Sequence, residues 1–361
     1  MTPVATSSLV ALIEERLALA SPLDGAAAAR LVTILLEAAV YGPAGPARRR
    51  PVISPDGTPL SVSLQEDGRP GAPAFRLLVE PGLPSLSVAE QIDHALTVLD
   101  RLLGELGWRS LADSVNAVTH ALFPADAAAV QDWWGGIGLG CVASDTGLEL
   151  RAYFNLRNGA VPSRWQRFSA ALSALTGDAV DRAAFDRLIE RVAPHGVPAG
   201  VALSWFAGRL RGIRLYVALG APSAAAICAV GAVTSSHQRR TVEAICADYE
   251  DEVRPFGYEC VTMAFDFPMR PDGACDLKPA RVKADFDCAS LNDGRPGAAR
   301  RTWLAAQHRH AGLPHQRLDA LLDTLQKYVG GSRVDYLSLG LRGAAAELTT
   351  YLIPDGYHTL R

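Results

Sequence analysis

The sequence lacks the features that would place the chain in several common classes. Its six cysteines include no CxxC pair, which is typical of reduced, structural thiols in a cytoplasmic protein. It has no run of about eighteen apolar residues, so we expect no membrane as a partner. The net charge of −3 over 361 residues gives no reason to expect nucleic acid or an anionic surface. Residues 1–20 carry Glu14, Glu15 and Arg16, which favours an amphipathic helix over a signal peptide.

Signals for several kinds of chemistry are also missing. There is no GxSxG or similar nucleophile motif. The glycines of residues 135–140 lie within a predicted strand rather than at a strand-to-helix turn, which excludes a dinucleotide fingerprint. The eight histidines form no pair with metal-site spacing, and the acidic residues 248–252 lack the DDxxD spacing of a magnesium motif. We therefore predict no metal centre.

The most informative stretch is residues 148–156, LELRAYFNL, in which polar and apolar side chains alternate strictly. A period of two predicts a β-strand with one polar and one buried face. The polar face carries an arginine two residues before a tyrosine, Arg151 and Tyr153. The same spacing recurs at Arg214 and Tyr216, and residues 281–287 (RVKADFD) repeat the alternation with charged side chains. These strands are predicted to present similar polar faces.

The chain repeats one supersecondary unit, two helices followed by a hairpin, five times at about 60–75 residues per unit. Helices are predicted over residues 1–20 and 26–41, 87–106 and 111–123, 164–175 and 182–192, 224–230 and 237–254, and 298–310 and 315–328. The hairpins pair residues 61–65 with 75–80, 136–144 with 148–155, 201–207 with 213–219, 261–268 with 281–287, and 336–342 with 347–353.

Amphipathic helices must cover the apolar face of such a sheet, since nothing else in the chain can. The polar face is then either open to water or closed into a lumen, and closure at ten strands removes unpaired edges. We therefore predict an α+β fold in a single domain over residues 1–361. Its centre is a ten-stranded antiparallel β-barrel with a solvent-filled chamber, surrounded by helices.

Short motifs in these strands resemble those of the ABBA aromatic prenyltransferases, in the branch of the dimethylallyltryptophan synthases and their bacterial relatives. They are RxxxEP at residues 76–81, LxLRxYF at residues 148–154 and RLY at residues 214–216. The strands that hold Lys283 and Tyr351 match more loosely. The resemblance runs from about residue 61 to residue 353 and implies the barrel of five ααββ units.

The resemblance implies transfer of an allylic prenyl group, dimethylallyl or geranyl, from its diphosphate to a small aromatic acceptor, commonly an indole. No cofactor is required in the family, and Mg²⁺ is non-essential. The family pattern assigns the diphosphate to Arg76, Arg151, Arg214 and Lys283, and the shielding of the allyl cation to Tyr153, Tyr216 and Tyr351. These residue types suit that chemistry because fixed cations stabilise a departing diphosphate, whereas tyrosine faces attract an allyl cation without attacking it.

The sequence departs from the family pattern at two places. A basic residue expected two positions before Arg214 is replaced by Gly212, for which Arg209 or Arg211 could compensate. The first barrel strand, in TPLSVS at residues 58–63, lacks the glutamate that accepts the indole N–H proton in the family. The candidate proton acceptors on the inward faces are Glu80, Asp285 and Glu347.

Other interpretations stay open from the sequence alone. The basic residues could lie on the solvated face of an open sheet, and Tyr351 could be a packing residue. A non-catalytic carrier could use the same barrel to bind a hydrophobic or anionic small molecule. The missing acid on the first strand also keeps open an acceptor that is a peptide side chain or a phenolic ring.

Overall fold

The structure is a computed structural model that describes residues 25–38, 60–68, 74–82, 86–123, 135–177, 181–341 and 346–355, together with residues 11, 13 and 15. Most of the helix predicted over residues 1–20 lies outside this part of the chain. Within it, the strands form one sheet. They are β1 (Leu60–Glu66), β2 (Ala74–Val79), β3 (Ile137–Ser144), β4 (Gly147–Asn155), β5 (Gly196–Phe206), β6 (Arg209–Leu219), β7 (Val261–Pro268), β8 (Arg281–Asp287), β9 (Ser332–Gly340) and β10 (Leu348–Pro354).

The sheet closes into a ten-stranded antiparallel barrel, which confirms the predicted fold class. Consecutive strands are hydrogen-bonded neighbours, and β1 pairs with both β2 and β10 to close the ring. At the closure Ser63 faces Arg76 on one side and Tyr351 on the other. Because the side-chain period of a strand is two, this register sets which residues point into the barrel.

Helices surround the barrel in pairs between the hairpins, as the repeat predicts. Two short 3₁₀ turns, Arg109–Leu111 and Ala289–Asn292, accompany them. The helices in the described residues are α1 (Gly25–Ala38), α2 (Val88–Glu105), α3 (Ala112–Leu122), α4 (Val161–Thr176), α5 (Arg182–Val192), α6 (Ala224–Val230), α7 (Ser236–Glu252), α8 (Gly297–His310) and α9 (Gln316–Val329). None of them combines the length and the hydrophobicity that a bilayer crossing demands.

The apolar core lies between the helices and the outer face of the barrel. One continuous cluster joins outward side chains such as Leu77 and Leu215 to helical residues such as Leu99 and Phe168, all at most 1% exposed. Burying a large apolar side chain contributes about 1.5–3 kcal/mol, so this shell holds the helices onto the barrel. The opposite faces of the same strands are left to line the interior.

All six cysteines are buried and none is in a disulfide, as the sequence predicts. Burial disfavours the charged thiolate and raises the pKa of Cys141 to about 12. Thiols with a raised pKa are poor nucleophiles at neutral pH. The cysteines therefore act as small packing residues.

Three strands start several residues earlier than the sequence predicts: β5, β9 and β6, which begins at Arg209 rather than residue 213. The prediction begins β5 at residue 201, but the strand starts at Gly196, because a bulge between Pro198 and Gly200 lets the Gly/Pro-containing segment pair with β6. β9 starts at Ser332 rather than residue 336. A second bulge, between Ser204 and Trp205 of β5 opposite β6, has consequences for the interior described below.

Candidate active site

Two cavities are lined by residues of the barrel strands. The first, which we call the tyrosine cavity, has a volume of about 110 Å³ and is lined by tyrosines from four strands. The second, the basic cavity, has a volume of about 260 Å³ and is lined by charged side chains from β4, β6, β7 and β8 together with uncharged residues. The interior is thus divided into an aromatic part and an ionic part.

Arg151 on β4 lies in the basic cavity, buried against Glu149 of the same strand. Two residues apart on one strand, the side chains share the inward face. Glu149 also accepts a hydrogen bond from Arg211 Nη1 at 2.8 Å. Burial alone would raise the pKa of Glu149, but the guanidinium groups of Arg151 and Arg211 outweigh it and lower that pKa. This carboxylate therefore stays ionised between two arginines.

Arg214 on β6 pairs with Asp266 on the neighbouring strand β7. Two parallel contacts join them, and the Nη2–Oδ2 distance is 2.7 Å. The register places these residues directly opposite each other. Burial opposes ionisation of Asp266, but Arg214 more than compensates and holds its pKa well below the ordinary value. A planar guanidinium held on two sides has a fixed orientation.

Lys283 on β8 is the most buried of the predicted basic residues, at 2% exposed. Its Nζ donates to Thr349 Oγ1 at 3.0 Å and lies 2.6 Å from Glu347 Oε1. Arg281, two residues earlier on the same face, contacts the same carboxylate. Glu347 therefore links two cations just before β10 begins.

Arg76 on β2 joins the basic residues to the tyrosines. Its Nη1 donates to Tyr351 Oη at 2.9 Å, and its Nη2 donates to Gln65 Oε1. Arg214 does the same on the other side, since its Nη1 donates to Tyr216 Oη at 3.1 Å. Each tyrosine thus has its hydroxyl on a cation and its ring in the tyrosine cavity.

Positive charge exceeds negative charge at this end of the barrel. Burial and the nearby guanidinium groups of Arg281 and Arg76 lower the pKa of Lys283, an effect that the Asp285 carboxylate opposes only in part. The pKa of Arg281 is lowered as well, by burial first and then by the charges of Arg76 and Arg214. Six basic side chains face only three carboxylates there, and we call these six the basic cluster: Arg76, Arg151, Arg211, Arg214, Arg281 and Lys283.

The predicted tyrosines do converge on one cavity. The rings of Tyr153 and Tyr216 lie 6.3 Å apart, and Tyr351 meets Tyr336 edge-on at the same distance. Burial raises the pKa of Tyr216 and Tyr351, although the neighbouring arginines act in the opposite direction. Tyr216 and Tyr351 are therefore neutral phenols at physiological pH. The Arg214 guanidinium lies over the Tyr216 ring, 5.7 Å from its centroid, so this ring face already contacts one cation.

The three acids predicted as proton acceptors occupy different places. Glu347 belongs to the ion pairs of the basic cluster. Glu80 lies one residue past β2 and is not among the residues that line either cavity. Asp285 lines the tyrosine cavity together with Tyr216 and Tyr351. The structure thus separates three side chains that the sequence could not rank.

The glycine at position 212 has a structural cause. A Cβ on Gly212 would lie 2.7 Å from the carbonyl oxygen of Phe267, so no side chain fits there. The adjacent bulge places an extra residue in β6 opposite Ser204 and Trp205. Because a bulge reverses the local alternation, Arg211 reaches Glu149 and lines the basic cavity. Arg209, the other candidate, is exposed and pairs with Phe206 at the end of the hairpin.

Sequence reasoning missed three residues of the interior. Arg281 shares the parity of Lys283, so the alternation in RVKADFD could have revealed it. Tyr336 shares the parity of Ser338 on β9, but the strand was predicted to begin at residue 336, so no preceding residues showed the alternation. Arg157 follows β4, lines the tyrosine cavity and lies 3.5 Å from Glu259; no periodic signal covers it. The described residues contain no cluster of three or more His, Cys, Asp or Glu side chains arranged to hold a metal ion.

Comparison with solved structures identifies the fold. The chain superposes on the 5-dimethylallyltryptophan synthase from Streptomyces coelicolor with a TM-score of 0.75 and 18% identity, covering 98% of each chain. It matches the 6-dimethylallyltryptophan synthase from Micromonospora olivasterospora, in complex with DMASPP and Trp, with a TM-score of 0.71, 17% identity and 98% coverage of each chain. AnaPT from Neosartorya fischeri gives 0.67 at 14% identity, over 99% of this chain and 95% of that one.

These matches confirm the resemblance at the level of the fold. The chain has the ten-stranded barrel of ααββ repeats that these prenyltransferases share. No protein-family model matches the chain, and no curated protein matches it in sequence. Function must therefore be argued from the side chains of this barrel.

Proposed function

We propose that this protein is an aromatic prenyltransferase that moves an allylic group from its diphosphate to an aromatic ring. The observation that carries the proposal is the excess of buried positive charge beside a cavity lined by tyrosines. An anion in the basic cavity would relieve the repulsion that lowers the pKa of Lys283 and Arg281. Neither a solvated sheet face nor a purely apolar carrier needs such an arrangement.

In this proposal the basic cluster holds the diphosphate. Arg76, Arg151, Arg214 and Lys283 supply the predicted contacts, and Arg281 and Arg211 add two more. Charge-assisted hydrogen bonds from guanidinium to phosphate oxygen are among the strongest in proteins. The carboxylates Glu149, Asp266 and Glu347 hold the basic side chains in place before the anion arrives. Preorganised cations stabilise the charge that develops as the C–O bond of the donor breaks.

The tyrosines then surround the allyl cation and shield it. Arg76 and Arg214 each hydrogen-bond a tyrosine hydroxyl, which puts the aromatic rings next to the carbon that the diphosphate leaves. Each ring face attracts a neighbouring cation by about 0.5–2 kcal/mol. The hydroxyls keep their protons, because burial raises their pKa, so they do not capture the cation. The helical coat limits access of water, which would otherwise quench it.

The acceptor is proposed to be an indole, with tryptophan and its derivatives as the first candidates. The neighbours of the same fold include a synthase solved with DMASPP and Trp and the prenyltransferase PriB in a ternary complex with L-tryptophan and a dimethylallyl thiolodiphosphate. The tyrosine cavity, whose aromatic rings lie beside the basic cluster, would receive the ring of the acceptor. The absence of an acid from the inward face of β1 favours testing phenolic and peptide acceptors as well.

The deciding experiment incubates the purified protein with dimethylallyl or geranyl diphosphate, with EDTA, and with a panel of indole, phenolic and tryptophan-containing peptide acceptors. We expect a product heavier by one prenyl group. One equivalent of diphosphate should be released for each product formed. A variant of the basic cluster, Arg214→Gln, is the matched negative. Tight binding of donor without product or hydrolysis would instead indicate a carrier, and no binding would refute the proposal.

A further inference from the structure

Asp285 differs from the other acidic side chains of the barrel interior. Glu149, Asp266 and Glu347 each make an ion pair with a member of the basic cluster. Among the described residues Asp285 makes none, and its Oδ1 is buried without a hydrogen-bond partner. A buried carboxylate oxygen without a partner costs several kcal/mol, so such atoms commonly await a ligand.

The surroundings of Asp285 are those of the tyrosine cavity. It is two residues after Lys283 on the inward face of β8, on the side away from the basic cavity. Its charge acts on Tyr216, Tyr336 and Tyr351, whose pKa values it helps to raise. A ligand ring lying among these tyrosines would therefore lie beside a carboxylate.

The inward face of strand β1 offers no alternative acid, because Glu66 at its end points outward to His308 of α8. Its inward positions are Ser61, Ser63 and Gln65. Ser61 donates to Leu352 O at 3.3 Å, and Gln65 accepts from Arg76. A serine hydroxyl or an amide does not take a proton from a weak acid at neutral pH. The acid that the family pattern places on the first strand has no equivalent there.

We propose that Asp285, from β8, is the proton acceptor for the ring N–H or O–H of the aromatic substrate. This inference rests on the proposed function. The ring forms a C–C bond to the allylic carbon with a π electron pair, while the C–O bond breaks and its pair leaves with the diphosphate. The proton of the ring heteroatom passes to Asp285. The substituted carbon then loses its proton to the diphosphate, and Asp285 returns its own to the heteroatom.

The substrate class follows from this assignment. An acceptor must carry an N–H or O–H conjugated with the attacked carbon, as indoles and phenols do. An aromatic ring without such a group gives Asp285 nothing to accept and gains no stabilisation as positive charge develops on the ring. A positioned general base contributes about 10²–10⁴-fold to rate.

The test compares wild type, Asp285→Asn and Asp285→Glu with the acceptor found in the panel and with its N- or O-methylated form. We expect Asp285→Asn to lose at least about 100-fold in transfer to the unmethylated acceptor. Hydrolysis of dimethylallyl diphosphate should stay within a few-fold of wild type, since the basic cluster is intact. Asp285→Glu should recover part of the transfer. The exposed Asp293→Asn is the matched control and should behave as wild type.

The methylated acceptor separates a chemical role from a structural one. If Asp285 accepts that proton, methylation and Asp285→Asn remove the same interaction, so their rate losses do not multiply. Losses that multiply, or an Asp285→Asn variant as fast as wild type, would overturn the inference while transfer by wild type upheld the proposed function. Failure of wild type to transfer or to hydrolyse donor would instead defeat both. Asp285→Ser serves if the asparagine variant does not fold.

Discussion

Replacing Arg151 by methionine tests the basic cluster at the arginine whose ion pair with a carboxylate is the most buried. Arg151 is 6% exposed and lies against Glu149. Methionine keeps much of the side-chain volume but removes the charge and all donors. We expect the variant to bind inorganic diphosphate more weakly and to transfer no prenyl group.

The magnitude follows from the contacts. A hydrogen bond to a charged group contributes about 1.5–3 kcal/mol, which corresponds to roughly 10–150-fold in affinity. Removing one partner of a buried ion pair costs about 3–5 kcal/mol of folding free energy. Here Arg211 Nη1 stays 2.8 Å from Glu149 Oε2, so the carboxylate keeps a cation and the cost falls at the lower end.

The assay is calorimetric titration with inorganic diphosphate, together with urea unfolding. Arg301→Met removes a surface arginine that pairs with Asp323 at 2.6 Å between α8 and α9, and it should leave affinity unchanged. If the single variant unfolds, the double variant Glu149→Gln with Arg151→Met can be used, because it also removes the charge of the Glu149 carboxylate. A folded Arg151→Met protein with wild-type affinity would refute the assignment of this arginine.

Three further predictions concern other parts of the barrel. The affinity for diphosphate should fall as the pH rises through the lowered pKa of Lys283, because the ammonium group loses its charge. Affinity measured as a function of pH should show that this fall is missing in Lys283→Met. Identical pH profiles for wild type and Lys283→Met would contradict the prediction. Gly140→Ala puts a Cβ 2.8 Å from Leu78 Cδ1 and should cost about 1–3 kcal/mol in urea unfolding, whereas unchanged stability would disprove the close packing. Glu66→Ala removes the buried hydrogen bond to His308 (2.8 Å) and should cost about 1–3 kcal/mol without changing diphosphate affinity; a loss of affinity would contradict a purely structural role.

Much of the fold could be predicted because alternation along a strand reports which face is buried. The pattern LELRAYFNL placed Arg151 and Tyr153 on the inward face, and the register confirms it. The prediction failed at the start of β5, where Gly196 and Pro198 are typical of a turn, although a bulge accommodates them in a strand. Propensity is local, whereas pairing with β6 is decided by the whole barrel.

The site was predicted less completely than the fold. Parity locates an inward face, but it does not show which charges meet across strands, as Arg214 and Asp266 do. A bulge reverses parity, so the contact of the exposed Arg211 side chain with Glu149 could not be read from its spacing. The partners of a carboxylate are equally hidden in the sequence, which is why Asp285 and Glu347 looked equivalent there and differ in the structure.

The most direct measurement is an experimental structure of the protein with dimethylallyl thiolodiphosphate and the acceptor. We expect phosphate oxygens within hydrogen-bond distance of Arg151, Arg214 and Lys283, with the dimethylallyl group between Tyr153 and Tyr216. Diphosphate bound outside the barrel, or a chamber that keeps its ion pairs and excludes the donor at saturating concentration, would contradict it.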